Sequence, residues 1–336
     1  MSGTMLAGRF NVVTREFAVK EVPIPVPGPS DVLIKVQAAG VCLSDVHIIS
    51  GMIVPPRITE GELTLGHEVS GTVEALGDDV TGWELGERVT IQALIEKEDG
   101  IHTIGLDYDG GWAEYLVTPA STLVRIGDLP FDQAAIIPDA VSTPWSAIEV
   151  TGKVRAGDAV GVWGIGGLGA HAIQLLRMIG AGPIIGIDPS ATARQRALDF
   201  GADAVLDPKA VDFADELRAA NGGAGLDVAF EFAGFPGIPE QILETLAPGG
   251  RLVLIGISGQ PFTVKDNFLF IAFGQQVLGH YGSEPHHVPQ LVRLANLGRL
   301  NLAGSISDTL PLSQAAEAVE RLENHAGEQI RLILRP

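Results

Sequence analysis

The sequence predicts an α/β chain in two parts, a β-rich piece followed by a doubly wound parallel sheet. Three observations carry this. Between Val32 and Val117, short apolar runs are separated by proline and glycine turns; from about Asp158, strand-like and helix-like runs alternate; and near that changeover stands Gly164-Ile165-Gly166-Gly167-Leu168-Gly169, a G-x-G-x-x-G motif. A length of 336 residues suits two domains better than one.

In the first part, residues 32–36, 69–76, 88–91 and 115–117 read as strands, with turns at Pro23, Pro25, Pro27-Gly28-Pro29 and Gly110-Gly111. Residues 159–163 read as a buried parallel strand leading into the glycines. Leu168, Ala172, Leu175, Leu176 and Ile179 then recur at helical spacing, and residues 183–187 form a second apolar run ending at Asp188. Beyond it the pattern predicts a helix over 191–200, a strand over 228–230, a helix over 238–246 and a strand over 252–257. After Gly282 the alternation loosens into helices over 289–297 and 313–322 and a closing strand over 329–334.

The glycine motif alone is weak. Strand, glycines, helix, strand and acid in register are a dinucleotide-binding, Rossmann-type fingerprint. Small residues at Gly164, Gly166, Gly167 and Gly169 let the backbone turn tightly against a pyrophosphate, and the helix opening at Leu168 offers free N–H groups and a partial positive charge. Asp188 stands where an acid receives the adenosine ribose, and its charge favours NAD over NADP by repelling a 2′-phosphate. Arg194 and Arg196, which follow, read as exposed helix charges.

Composition narrows the partners. Hydrophobic residues make up 46% and charged residues 19%, enough for a large core. A net charge of -19, from 22 Lys+Arg against 41 Asp+Glu, argues against nucleic acid. No apolar run has the length of a membrane span, and Met1-Ser2-Gly3-Thr4 has neither the basic nor the apolar region of a leader. The one cysteine excludes intrachain disulfides and fits a reducing, cytoplasmic setting.

That cysteine, Cys42, lies in Gly40-Val41-Cys42-Leu43-Ser44-Asp45-Val46-His47. Gly66-His67-Glu68 follows some way on, and Ile137-Pro138-Asp139 precedes an expected helix start at Ser142-Thr143-Pro144. A thiolate, an imidazole and a carboxylate are a sound three-ligand set for catalytic zinc, with a fourth position for water or substrate. Taken singly, Cys42 could be a buried apolar residue, His67 a core histidine and Asp139 a helix cap.

Together, the segments around Cys42 and His67 and the fingerprint resemble the zinc-dependent medium-chain alcohol dehydrogenases over essentially the whole chain. The resemblance implies a GroES-like β-rich catalytic domain at 1–148, completed by 283–336, and a Rossmann dinucleotide-binding domain at 149–282. It implies one catalytic zinc ion, with Cys42 and His67 as ligands, Asp139 as the third, and Glu68 close enough to exchange at the metal. Asp45 matches the acid that orients the ligand histidine, Ser44 the hydroxyl that takes the alcohol proton, and His47 the end of that relay. Phe232-Ala233-Gly234 falls where the family contacts the nicotinamide half of NAD(H). A homodimer or homotetramer, often built by sheet extension between Rossmann domains, is implied as well.

Two departures stand out. Many members place a cysteine where this chain has Asp139, although secondary-alcohol dehydrogenases are among those with an aspartate. Between Val89 and Gly110 the family commonly carries four cysteines for a structural zinc; here there are none, so only the catalytic zinc is expected, and Glu96, His102 and Asp107 read as surface-loop residues. Candidate substrate-pocket residues are Ser44, Met52, Trp112 and Trp145, with Ile53 and Val54 beside Met52; the two tryptophans line the cleft or simply fill core, Trp145 being the better cleft candidate. Their apolar character leans towards a small or hydrophobic, secondary alcohol interconverted with its ketone or aldehyde. The alternatives are a polyol or sugar dehydrogenase, a zinc-free enoyl or quinone reductase, and a non-catalytic structural member. His286-His287 read as exposed loop or cap residues, because neighbours on a helix do not share a face.

Overall fold

The longest strand of the first unit, Asp31–Val41, is its spine. Its apolar side chains alternate into the core, and it pairs antiparallel with Val69–Leu76, Tyr115–Pro119 and the closing strand Arg331–Arg335. The sheet runs Leu123–Arg125, Arg88–Ile91, Val69–Leu76, Asp31–Val41, Arg331–Arg335, Ile306–Pro311, with Tyr115–Pro119 off this path on the spine. Val32, Ile34, Val36, Val73, Leu116, Leu332 and Leu334 build the core on it. A small sheet of Phe17–Pro23, Thr4–Asn11 and Glu62–Thr64 stands beside this core. The structure is a computed structural model and describes residues 3–324 and 328–336; Met1 and Ser2, read above for a leader, lie outside them.

The second unit is a parallel sheet in the order Ala204–Leu206, Ile184–Ile187, Val160–Trp163, Leu226–Glu231, Leu246–Leu254, Gln276–Gly279. All its pairings are parallel, as alternating strands and helices require. Sequential strands step outwards one way from Val160–Trp163 and then the other. Two strands that begin opposite excursions are therefore neighbours at the centre, where a doubly wound sheet binds its ligand. Among the described residues no helix is long and apolar enough to cross a membrane.

Chain contacts divide the molecule at Ser142/Thr143 and Ser283/Glu284, where the sequence reading placed the changes after 148 and 282. The first division falls inside helical chain, so the helix start expected at 142–144 is corrected. Phe131–Ala135 is already helical and leads into a π-helical turn, Ile137–Val141, and then Ser142–Ser146 and the π-helical Ala147–Thr151. Pro138 has no N–H to donate, and the chain around it takes the wider turn. Ser142 is interior, its hydroxyl donating to the Pro138 carbonyl at 2.7 Å.

Three further readings are corrected by burial. Trp112, a pocket candidate, is core: it is fully buried, its Nε1 donates to the Gly40 carbonyl at 3.0 Å and its ring meets Phe17 edge-on. His102 is buried in a hairpin, Leu94–Lys97 with Gly100–Thr103, and Asp107 is buried in the turn that follows it. There His102 lies 2.8 Å from Asp99 and 2.7 Å from the Tyr108 hydroxyl, while Asp107 accepts from Thr103 N and from Arg57. Glu96 is exposed, as read. His287 is buried and its Nδ1 accepts from Glu284 N at 3.1 Å; only its neighbour His286 is exposed.

Trp112→Ala deletes a fully buried ring and its hydrogen bond, and should cost about 3–5 kcal/mol of stability, seen as a lower urea midpoint; a midpoint within error of wild type would contradict its core role.

Candidate active site

The spine strand ends at Val41, and the next residue, Cys42, opens the helix Leu43–Ser50. Asp45 in the first turn fixes that junction by accepting from Cys42 N at 3.0 Å, the reciprocal half of a capping box. His67 arrives on the loop before Val69–Leu76. Gly66 there has φ +97, a left-handed conformation that glycine adopts freely, and a Cβ on it would overlap the Trp112 ring. Glu68 is drawn against the spine by Gly40 N, which donates to its carbonyl at 2.9 Å. A side chain at Gly40 would occupy the space of the Glu68 carboxylate.

Cys42, His67 and Asp139 converge. Cys42 Sγ lies 3.3 Å and His67 Nε2 3.4 Å from Asp139 Oδ2, and the ligand atoms all fall within 4.8 Å of one another. Sulfur, imidazole nitrogen and carboxylate oxygen form a donor set that suits zinc. The π-helical turn carries Asp139 to this point. Ser44 Oγ is 3.5 Å from His67 Nε2. Behind His67, Asp45 Oδ1 faces Nδ1 at 3.7 Å. His47 is half-buried, its Nδ1 enclosed and without a hydrogen-bond partner.

Sequence reading missed Arg331. It is 2% exposed and enters beside Cys42 because Leu332 pairs with Val41 across the sheet. Its Nη2 lies 2.8 Å from Glu68 Oε1, 3.3 Å from Asp139 Oδ2 and 3.6 Å from Cys42 Sγ. The signal available was a charged residue directly before the apolar run Leu332-Ile333-Leu334 of the terminal strand. Glu68 Oε1 also accepts from Ala140 N at 2.9 Å, and Oε2 is buried without a partner. Glu68 is thus held by Arg331 and the main chain, apart from the converging three.

Burial pushes the Glu68 carboxyl up to about 7, against the pull of Arg331, and pushes Asp45 up against that of His67. Burial alone would lower His67, but Asp45, Asp139 and Cys42 outweigh it and raise it well above its ordinary value. Burial works against the Arg331 charge too, and Glu68, Cys42 and Asp139 overcome it. Burial lowers His47, leaving its imidazole neutral at pH 7.

In the second unit the fingerprint forms the predicted turn. Gly164 has φ +84, and a Cβ on it would press on Ala233 N, while one on Gly169 would overlap the Gly164 carbonyl. The helix Gly169–Ile179 starts at Leu168 with no side-chain cap, so its first amides suit a pyrophosphate. Asp188 is buried; its carboxylate accepts from Ile165 N and Ser190 N, both at 2.8 Å. Arg194 and Arg196 are corrected from exposed to half-buried. Arg194 donates to the carbonyls of Asp188 and Pro189, and Arg196 to that of Ile165. Ala233 and Gly234 follow the strand Leu226–Glu231. Of the other pocket candidates, Met52 is exposed after the Leu43–Ser50 helix and Trp145 is buried in the second unit.

Comparison with known proteins agrees with both units. Residues 28–128 match the alcohol dehydrogenase GroES-like domain and residues 167–296 the zinc-binding dehydrogenase family. The chain is 33% identical to an L-threonine 3-dehydrogenase of Pyrococcus horikoshii, over 84% of each chain. The chain belongs to the zinc-type medium-chain dehydrogenase/reductase family. This dehydrogenase is an oxidoreductase of the alcohol dehydrogenase type. It is also 29% identical to an NAD-dependent alcohol dehydrogenase of Sulfurisphaera tokodaii, covering 95% of this chain and 97% of that one. It superposes on the 2R,3R-butanediol dehydrogenase of Bacillus subtilis with a TM-score of 0.90 at 25% identity, over 99% of each chain.

Replacing Arg331 by Met leaves the buried Glu68 without its guanidinium partner, and removes positive charge from beside the half-buried Asp139. The dehydrogenase should lose about 3–5 kcal/mol of stability, measured by urea unfolding of chelator-treated protein; an equal midpoint for variant and wild type would show that the charge is not needed.

Proposed function

We propose that this chain is a zinc-dependent, NAD(H)-linked alcohol dehydrogenase and carbonyl reductase acting on a small or hydrophobic secondary alcohol and its ketone. The observation that carries the reading is the convergence of Cys42, His67 and Asp139 in the first unit. Those three residues would hold the zinc ion, with Asp139 as third ligand because its oxygen gathers with Cys42 Sγ and the His67 nitrogen within 4.8 Å, while Glu68 turns to Arg331 and Ala140 N. When bound, zinc supplies Lewis-acid polarisation of the substrate oxygen, and the nicotinamide supplies the hydride acceptor or donor.

The chain's own residues do the rest. Asp45 faces Nδ1 of His67, which sets the ring orientation and leaves Nε2 for the metal. Ser44, beside His67 Nε2, is placed to take the proton of an alcohol bound there. His47, neutral at pH 7, is the base that receives it onward. Gly164, Gly166, Gly167, Leu168 and Gly169 hold the pyrophosphate, Asp188 the adenosine ribose, and Ala233 and Gly234 the nicotinamide half. The secondary-alcohol assignment draws on Asp139 and on the relatives, since L-threonine at its 3-position and 2,3-butanediol both carry hydroxyls on secondary carbons. Compartment follows the same line, a lone reduced cysteine suiting the cytoplasm.

A homo-oligomer is part of the proposal. The helix Asn267–Phe273, which precedes the edge strand Gln276–Gly279 in the chain, buries none of its residues and leaves Phe268 78% and Ile271 68% exposed. Exposed apolar side chains of that size mark an association surface.

Metal analysis of purified protein should find one zinc per chain, and Asp139→Ala should lower that content and abolish alcohol oxidation together; full activity after chelation would leave the zinc-free reductase reading in its place. Asp188→Ala should raise kcat/KM for NADP relative to NAD about tenfold, a shift of about 1.4 kcal/mol; an unchanged ratio would remove Asp188 from cofactor choice. Phe268→Glu with Ile271→Glu should convert the oligomer to monomer in light scattering, and a wild-type monomer would overturn the assembly.

A further inference from the structure

Glu231 is a buried acid that the proposed chemistry does not use. It closes the strand Leu226–Glu231 and stands level with Trp163 on one side and Leu254 on the other. Its Oε1 accepts from both Ala233 N and Gly234 N at 2.7 Å. Its carbonyl accepts from Ile255 N at 2.9 Å and Gly256 N at 2.8 Å, and Phe232 N donates to the Trp163 carbonyl. Among the described residues no cation pairs with it; burial pushes its carboxyl up, and the two amide bonds pull it back.

An acid without a counter-ion is costly in such a place. An apolar side chain would remove that cost but strand the two amide hydrogens of a turn whose Gly234 has φ +69. The location gives the cost a purpose. Val160–Trp163 and Leu226–Glu231 are the two central strands from which the sheet winds in opposite directions, so their ends border the ligand crevice. Asp188, past Ile184–Ile187, takes one side of that crevice. The Phe232–Gly234 turn takes the other, close enough that a Cβ on Gly164 would lie 2.9 Å from Ala233 N.

We propose that Glu231 is a positioning residue for the nicotinamide half of the dinucleotide, its carboxylate pinning the 232–234 turn on which that half rests. The proposal rests on the NAD(H) reading above. It separates the two halves of the cofactor: the adenosine and pyrophosphate contacts belong to Asp188 and the glycines, and only the remaining half depends on Glu231.

The test compares NADH with ADP-ribose, which keeps the adenosine and pyrophosphate but lacks nicotinamide, by titration calorimetry on the intact protein. Glu231→Ala should raise the Kd for NADH about tenfold or more, from the loss of two hydrogen bonds to a carboxylate, and leave the Kd for ADP-ribose within about twofold. Glu231→Gln, whose carbonyl oxygen can still accept both amides, should bind NADH nearly as wild type does. Glu231→Ser, with a short hydroxyl that cannot span the turn, repeats the comparison should the alanine variant not fold. Equal weakening of both ligands, unchanged NADH affinity, or a Gln variant as impaired as Ala overturns the positioning role. A wild-type protein that binds neither ligand overturns the dinucleotide reading itself.

Discussion

The first unit is organised around one unfavourable condition: Cys42, Glu68, Asp45 and Asp139 crowd acidic groups into a space where Glu68 and Asp45 have almost no contact with solvent. Coulomb repulsion in so dry a region has to be answered by positive charge. Arg331 and the raised imidazole of His67 answer it, and Arg331 does so from a strand that lies against Val41. The chain leaves at Ser142, builds a separate sheet and returns at Glu284, and the returning segment's last strand carries the guanidinium in. Gly40 and Gly66 belong to the same constraint, since each gives up a side chain to make room, one for the Glu68 carboxylate and the other for the Trp112 ring.

The second unit handles buried acids differently. Asp188 and Glu231 follow or end the strands on either side of Val160–Trp163, and each directs its carboxylate onto main-chain amides, Ile165 and Ser190 for one and Ala233 and Gly234 for the other. Asp188 also lies in the field of the Arg196 guanidinium, whereas Glu231 rests on N–H dipoles held in a turn, which stabilise a carboxylate well. The two halves of the crevice therefore share a device: an acid at a strand end stiffens the loop next to it. A rigid loop loses less entropy when a ligand is bound, which favours recognition by backbone groups.

What could be read from the sequence was what lies close together in it. Strand, glycines, helix and Asp188 span about thirty residues, so their register was visible, and Cys42 and Asp45 were legible as one turn. Arg331 was not, because its partners are 263 and 289 residues away and only the pairing of Leu332 with Val41 joins them. Trp112 was ambiguous for a related reason: a large aromatic beside two glycines suits a pocket wall as well as a core, and the hydrogen bond to Gly40 that decides the matter is long-range. Asp139 was read as preceding a helix. The helix start was expected at Ser142-Thr143-Pro144, whereas the chain is already helical from Phe131 and only widens its turn around Pro138.

The hairpin at 94–103 shows how a segment lacking the usual ligands is still ordered. Without cysteines it cannot be clamped by a tetrathiolate, and its composition reads as a surface loop. Yet Arg57 reaches across to both Asp99 and Asp107, Asp107 caps the Thr103 amide, and Asp99, His102 and Tyr108 form a continuous hydrogen-bonded row. Each bond alone is worth little near solvent. Linked through shared atoms, with His102 and Asp107 buried, they become mutually dependent, since breaking one leaves its neighbour's polar atom unsatisfied. Cooperative polar pairing thus orders this lobe, with a geometry set by one arginine contributed from outside the hairpin.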